Sequence, residues 1–172
     1  MDEIRNRIVI PIKGLPAGES AFSFVIGNEF FQDFGNSQIK DADCSVKVHV
    51  TRRQTMLQIN CIVGGYVVVE CDRCLDDLTL KIDVDQDLTV GFDSVEVEDA
   101  DNDEDVIVVD SSQQELSLDQ FVYDYVCLSI PIVNVHPEGK CNPDVVKFID
   151  NKEVESDSPF QNLKDMLKNK NN

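Results

Sequence analysis

The strongest constraint on the fold is a period-2 alternation across residues 44–92. Cys44, Val46, Val48 and Val50 alternate with Ser45, Lys47, His49 and Thr51. Leu57, Ile59, Cys61 and Val63 form the next apolar phase. Leu78, Leu80, Ile82, Val84, Leu88, Val90 and Phe92 share one parity, interrupted only at Gln86. Side chains two apart lie on the same face of a strand, so this pattern demands strands with one dry and one wet face. The wet face of the last strand carries Asp83, Asp85 and Asp87. Gly64-Gly65 is a turn dipeptide, and it predicts a hairpin between "LQINCIV" and "YVVVEC".

Around this centre the signals are shorter. "RIVIPIKGL", residues 7–15, reads as an edge strand because it contains a Pro. "NEFFQDFG" reads as one or two helical turns ended by Gly35, with Phe30, Phe31 and Phe34 inward. "VIVV" is a candidate return strand. Ser117 followed by Gln120 is a capping-box pattern opening a helix over 118–128, with Phe121, Tyr125 and Leu128 on one stripe and Val122 beside it, stopped by Pro131. Residues 131–147 read as loop. "SPFQNLKDMLK" reads as a short amphipathic helix after a polar linker. The expected fold is mainly β (α+β): an antiparallel sheet or open barrel, one main helix and a short C-terminal helix. The expected organisation is one β-rich domain over 1–150, with an acidic loop at 93–105, and a linker and helix over 151–172.

Charge is segregated. The chain of 172 residues has a net charge of −18. Residues 82–139 contain sixteen Asp or Glu and no Lys or Arg, so nearly all the excess sits there. The segment Asp99, Asp101, Asp103, Glu104 and Asp105 is its densest part. Such a block repels nucleic-acid phosphate and attracts basic partners. Arg52, Arg53 and Arg73 are the basic features near the predicted hairpin, a thin candidate edge for RNA or a partner. The N-terminus has no secretory pattern and no apolar run is long enough to span a membrane, so the expected compartment is the cytoplasm.

In a reducing compartment the six cysteines are expected as buried thiols or metal ligands rather than disulfides. Cys44 and Cys61 fall on apolar strand phases and read as small buried hydrophobes. Cys71 and Cys74 sit two apart in a charged turn, where two thiolates can point at one cation. A closed zinc site needs four donors, and His136 and Cys141 are the candidates to complete it. No second C-x-x-C is present, so reduced thiols in or near the core are the favoured reading and one structural zinc the alternative. A thioredoxin-like pair is disfavoured because a strand, not a helix, follows. No phosphate loop, activated nucleophile or acid–base pair stands out, so no catalytic residue and no small-molecule substrate are assigned.

"CDRCL", "ELSLDQFVYDYVCLSIPIVNVHPEGKC" and "SPFQNLKDMLK" together resemble the YceD family, named for large-ribosomal-RNA accumulation. Their order and spacing match that family over about residues 65–168. The departure is in the loop after Pro131, where many members carry further cysteines and this chain has only His136 and Cys141. The resemblance implies a non-enzymatic ribosome biogenesis factor, whose partner is precursor large-subunit rRNA or a basic ribosomal protein. The alternative is a zinc-binding structural or redox-sensing interaction module.

Overall fold

The computed structural model describes residues 7–53, 56–92 and 105–150. The elements are β1 (Val9–Pro11), β2 (Gly18–Gly27), α1 (Asn28–Asp33), β3 (Asp41–Arg52), β4 (Met56–Glu70), β5 (Asp77–Phe92), β6 (Asp105–Val109), β7 (Glu115–Ser117), α2 (Asp119–Ser129) and α3 (Pro143–Asp150). A five-stranded sheet runs in the order β2-β3-β4-β5-β6, and a two-stranded sheet pairs β1 with β7. The fold is mainly β with helices, and the larger sheet is open. It is antiparallel except for its last pair, where β6 runs parallel to β5. The sequence-expected acidic loop (except Asp105, which starts β6) and the C-terminal amphipathic helix lie outside the described residues.

The alternation of residues 44–92 converts directly into a register. Phe24, Val46, Val63 and Val84 form one cross-strand row, and Ser20, Val50, Ile59 and Leu88 another. These rows line the inner face, where directly opposed side chains stabilise the sheet by contact. Val46, Val48, Val50, Ile59 and Val63 are all buried there. Cys61 opposes Val48, and Cys44 opposes Gly65, so both thiols are core positions.

The predicted hairpin at Gly64-Gly65 does not form. β4 runs unbroken through both glycines, because its inward parity continues from Val63 to Val67, Val69 and Cys71. Gly65 is small for a different reason: a Cβ there would sit 2.2 Å from the Asp43 carbonyl oxygen. β3 therefore approaches β4 more closely at this point than any side chain allows.

A second group of elements is assembled from segments far apart in sequence, before β2 and after β6. Ile8, Ile10 and Ile12 on and beside β1 are buried with Leu116 and Leu118 of the β7 region. The Asp119 carboxylate ties this pair to α2, accepting the Ile8 N–H and the Ser117 hydroxyl. The capping box is thus replaced: Gln120 reaches forward and donates to Asp124 instead. Val122 and Val126 are the buried face of α2, whereas Leu128, expected on its packed stripe, is 76% exposed. Ile130 is extended, as a residue before proline should be, and the helix ends there. Phe34 after α1 stacks on Tyr123 of α2 with centroids 4.3 Å apart.

Three elements depart from the sequence expectation. β2 and β7 were not foreseen, and α3 replaces the second part of a segment expected to be loop through residue 147. Pro143 occupies the first turn of α3, where its missing N–H costs nothing, and Asn142 caps it by accepting from the Asp144 N–H.

Candidate metal centre

β4 ends at Glu70 and β5 begins at Asp77; the turn between them carries Cys71 and Cys74. The turn is closed by the Leu75 N–H donating to the Cys71 carbonyl and the Cys71 N–H donating to the Asp76 carbonyl. Leu75 adopts a left-handed conformation (φ 63°), unusual for a residue with a side chain. This tight reversal turns both sulfurs inward: Cys71 and Cys74 are buried although Asp72, Arg73 and Leu75 around them are exposed.

The segment after α2 brings the remaining donors to the same point. Cys74 Sγ lies 3.4 Å from His136 Nδ1, and Cys141 Sγ lies 4.0 Å from both Cys71 Sγ and His136 Nδ1. All four donor atoms fall within 4.8 Å of one another. A tetrahedral zinc with sulfur and imidazole ligands needs donor–donor edges of about 3.6–3.8 Å, so the set fits with shifts of ångström size or less.

The surroundings favour charged sulfur at Cys71 and the neutral thiol at Cys141. Burial pushes the Cys71 thiol up, but the backbone N–H groups of Cys74, Arg73 and His136, with the Cys74 side chain, more than offset it and bring it down to about 6. Burial pushes the His136 ring down, and its hydrogen bonds to Cys71 and Cys74 reverse this, so the net shift is upward. Burial raises Cys141, and its neighbours Cys71 and Cys74 add to the rise. His136 Nε2 lies 3.1 Å from the Asp77 carbonyl, which accepts its proton and leaves Nδ1 free to face the sulfurs. A metal-ligating histidine is commonly oriented by such an outer carbonyl.

A second lock flanks the four donors. The Asp72 N–H donates to the Asn134 carbonyl at 2.7 Å, and the Asn134 N–H donates to the Asp72 carboxylate at 2.6 Å. This reciprocal pair holds the β4–β5 turn to the loop after α2 independently of the cysteines. Sequence reading missed both residues; the only available signal was that each lies within two residues of a donor.

The other cysteines have no comparable setting. Burial pushes Cys44 up to about 11 and Cys61 up to about 12. Cys127 lines an open cleft of about 620 Å³ between α2 and the residues before β3, and burial raises its thiol as well. None of these three is an activated nucleophile.

The basic residues singled out from sequence do not come together. Arg52 and Arg53 lie at the end of β3, beside the start of β4, and Arg52 donates to the Leu15 carbonyl. Arg73 lies beyond the other end of β4, about 45 Å of extended strand away. Of the acidic segment, Asp99, Asp101, Asp103 and Glu104 lie outside the described residues. Asp105 is the first residue of β6 and accepts the Tyr125 hydroxyl at 2.6 Å. The acidic strand face is in place: Asp83, Asp85 and Asp87 stand exposed on one face of β5. Asn60 donates to both Asp85 and Asp87, and Lys81 pairs with Asp83. No described helix is long and apolar enough to cross a membrane.

No curated protein and no solved structure matches the chain. A family model described as "Large ribosomal RNA subunit accumulation protein YceD" matches residues 59–167. That span starts within β4 and takes in the C-x-x-C turn, the acidic strand face, α2 and both halves of the four-donor cluster. It covers more than half of the 172 residues, and the chain belongs to the YceD family.

Proposed function

We propose that this protein is a non-enzymatic ribosome biogenesis factor that supports accumulation of large-subunit rRNA by holding a basic ribosomal protein. The observation that carries the reading is the outer face of the five-stranded sheet. Its outward positions on β2–β5 present Glu19, Asp41, Asp43, Glu70, Asp77, Asp83, Asp85 and Asp87 against Lys47 and Lys81, with Lys40, just before β3, bridging Glu70 and Asp77. An acidic surface of this kind attracts a polycationic partner and raises its encounter rate. It would also keep that partner from premature contact with RNA. The family's description supplies the biological setting, and Asp99, Asp101, Asp103 and Glu104, outside the described residues, add to the negative charge of the chain.

The Cys71, Cys74, His136 and Cys141 cluster has an architectural part in this reading. It would hold one structural zinc, which supplies no reactivity and pins the β4–β5 turn to the segment leading into α3. Four donors in mutual reach, with one thiol already poised as thiolate, support that assignment over reduced core thiols. A redox-sensing role for Cys71 and Cys74 is the lesser reading, separable by metal analysis with thiol titration. Docking on precursor rRNA through Arg52, Arg53 and Arg73 is also lesser, because these arginines offer two small patches rather than one.

The test is a pull-down against purified large-subunit proteins over a salt series. The expected result is a basic protein whose capture weakens steadily with salt. Asp83→Asn, Asp85→Asn and Asp87→Asn combined should weaken it about tenfold, since exposed pairs contribute ~0.2–1 kcal/mol each. Absence of any salt-sensitive partner contradicts the proposal.

A further inference from the structure

Exposed apolar side chains are unevenly spread along the chain. Of the eleven large ones among the described residues, six lie between residues 128 and 149: Leu128, Ile132, Val133, Val135, Phe148 and Ile149. Ile132 is 100% exposed although it lines the cleft of about 620 Å³ beside α2. Ile130, Pro131 and Val69 add further apolar lining, and Cys127 presents its thiol to the same space. Single exposed apolar residues are normal, but their concentration beside a cleft of ligand-pocket size marks an interaction surface.

We propose that this cleft is filled by the chain's own C-terminal stripe, Phe160, Leu163 and Leu167, carried by residues 159–168 outside the described residues. Three observations favour this occupant over a separate partner. The first is reach. α3 begins two residues after Cys141, whose sulfur lies 4.0 Å from that of Cys71, the neighbour of Asp72 in the cleft. Eight helical residues rise about 12 Å, so Asp150 stands within roughly 30 Å of Asp72, and the ten residues from there to Phe160 span about 33 Å when extended. The second is charge. Residues 1–150 carry the whole net charge of −18, whereas residues 159–172 hold three Lys and one Asp. Lys164 and Lys168 flank the stripe, and Asp72 and Glu70 stand in the cleft, Glu70 already paired with Lys40. A net-positive segment is held close by the field of an acidic body. The third is the family match, which runs through residue 167 and so takes in the stripe together with the cleft lining from Val69 to Asn134. Tethering adds an effective concentration in the millimolar range, so a stripe of three apolar side chains suffices where a free peptide would not. Docked there, it clamps the loop that carries His136. It uses none of Asp83, Asp85 and Asp87, so its failure leaves the proposed function standing.

Cys127 reports on the cleft, and its alkylation rate in the full chain, read by peptide mass mapping at mildly alkaline pH, tests the proposal. Phe160→Asp combined with Leu163→Asp should speed modification of Cys127 about tenfold, because opening a packed segment exposes what it covers. Ile132→Asp breaks the same contact from the cleft side, at a fully exposed position where the fold has nothing to lose, and should act alike. Asn162→Asp, opposite the stripe at helical spacing, should keep the native rate. Cys44 and Cys61 serve as the folding control and stay unmodified; if the stripe variant exposes them, Ile132→Asp decides alone. An unchanged Cys127 rate in a folded stripe variant or in Ile132→Asp overturns the inference. So does an equal acceleration by Asn162→Asp, or protection that weakens on dilution, which would give the stripe to a second copy.

Discussion

Cys71 and Cys61 are both buried thiols, yet their surroundings drive them in opposite directions. Three backbone N–H groups and a neighbouring thiol hold Cys71 down at about 6, while burial, with the Asp85 charge adding to it, pushes Cys61 up to about 12. Sequence reading could separate these classes because strand phase marked Cys44 and Cys61 as core, and ligand chemistry named His136 and Cys141 as partners for the turn. It could not decide whether the four meet, because that depends on a path of over sixty residues and on the Asp72–Asn134 lock. If a zinc is held there, elemental analysis of the purified protein returns about one per chain, and Cys141→Ser returns none. Stripping it with a strong chelator should cost ~3–4 kcal/mol, about 10 °C in Tm, read by differential scanning calorimetry. For Cys44 and Cys61 the expectation is inertness: neither is alkylated in the folded protein at mildly alkaline pH, as peptide mass mapping would show. Unfolded thiols lose their protons near 9.0 and the folded ones only near 11 and 12, so the native state binds more protons between these values. Their contribution to stability is therefore complete below about pH 9 and lost as pH rises toward 12, which urea titrations across that range would detect.

Among the elements, β3, β4 and β5 were legible because each buries one full face, leaving a clean alternation. The glycine pair misled because a turn and a close strand crossing both demand glycine, and only the unbroken odd parity beyond Gly65 tells them apart. This yields a sharp contrast. Gly65→Ala drives a methyl group into the Asp43 carbonyl and should destabilise by ~2–3 kcal/mol. Gly64→Ala meets nothing within 4 Å and should change stability by less than ~0.5 kcal/mol. Denaturant midpoints of the two variants measure both; a hairpin turn at Gly64-Gly65 would make them comparably sensitive. β2 escaped detection because its polar phase beyond Glu19 is only Ala21, Ser23 and Val25, Ser20 sits on its apolar face, and its inner aromatics are only partly covered. α3 escaped because Pro143 and the preceding Cys141 and Asn142 read as loop, although that proline is helix-compatible in the first turn.

For the whole molecule, the sequence located the excess charge but not its shape. Part of the acidic block becomes an ordered stripe, Asp83, Asp85 and Asp87, on the outer face of a sheet whose inner face is the core. The parallel placement of β6 beside β5 was not legible, since the short apolar run of residues 105–109 suits either strand direction. Nor was the separation of Arg73 from Arg52 and Arg53, because the false hairpin would have folded β4 in half and brought its ends together. The unbroken β4 leaves one extended acidic face between two small basic ends. Mass spectrometry of what co-purifies from cells at low salt tests the central claim most directly, comparing the native chain with the Asp83→Asn, Asp85→Asn, Asp87→Asn combination. Enrichment of a basic large-subunit ribosomal protein with the native chain, lost in the variant, is the predicted result. Equal recovery of the same partners by both chains would contradict it.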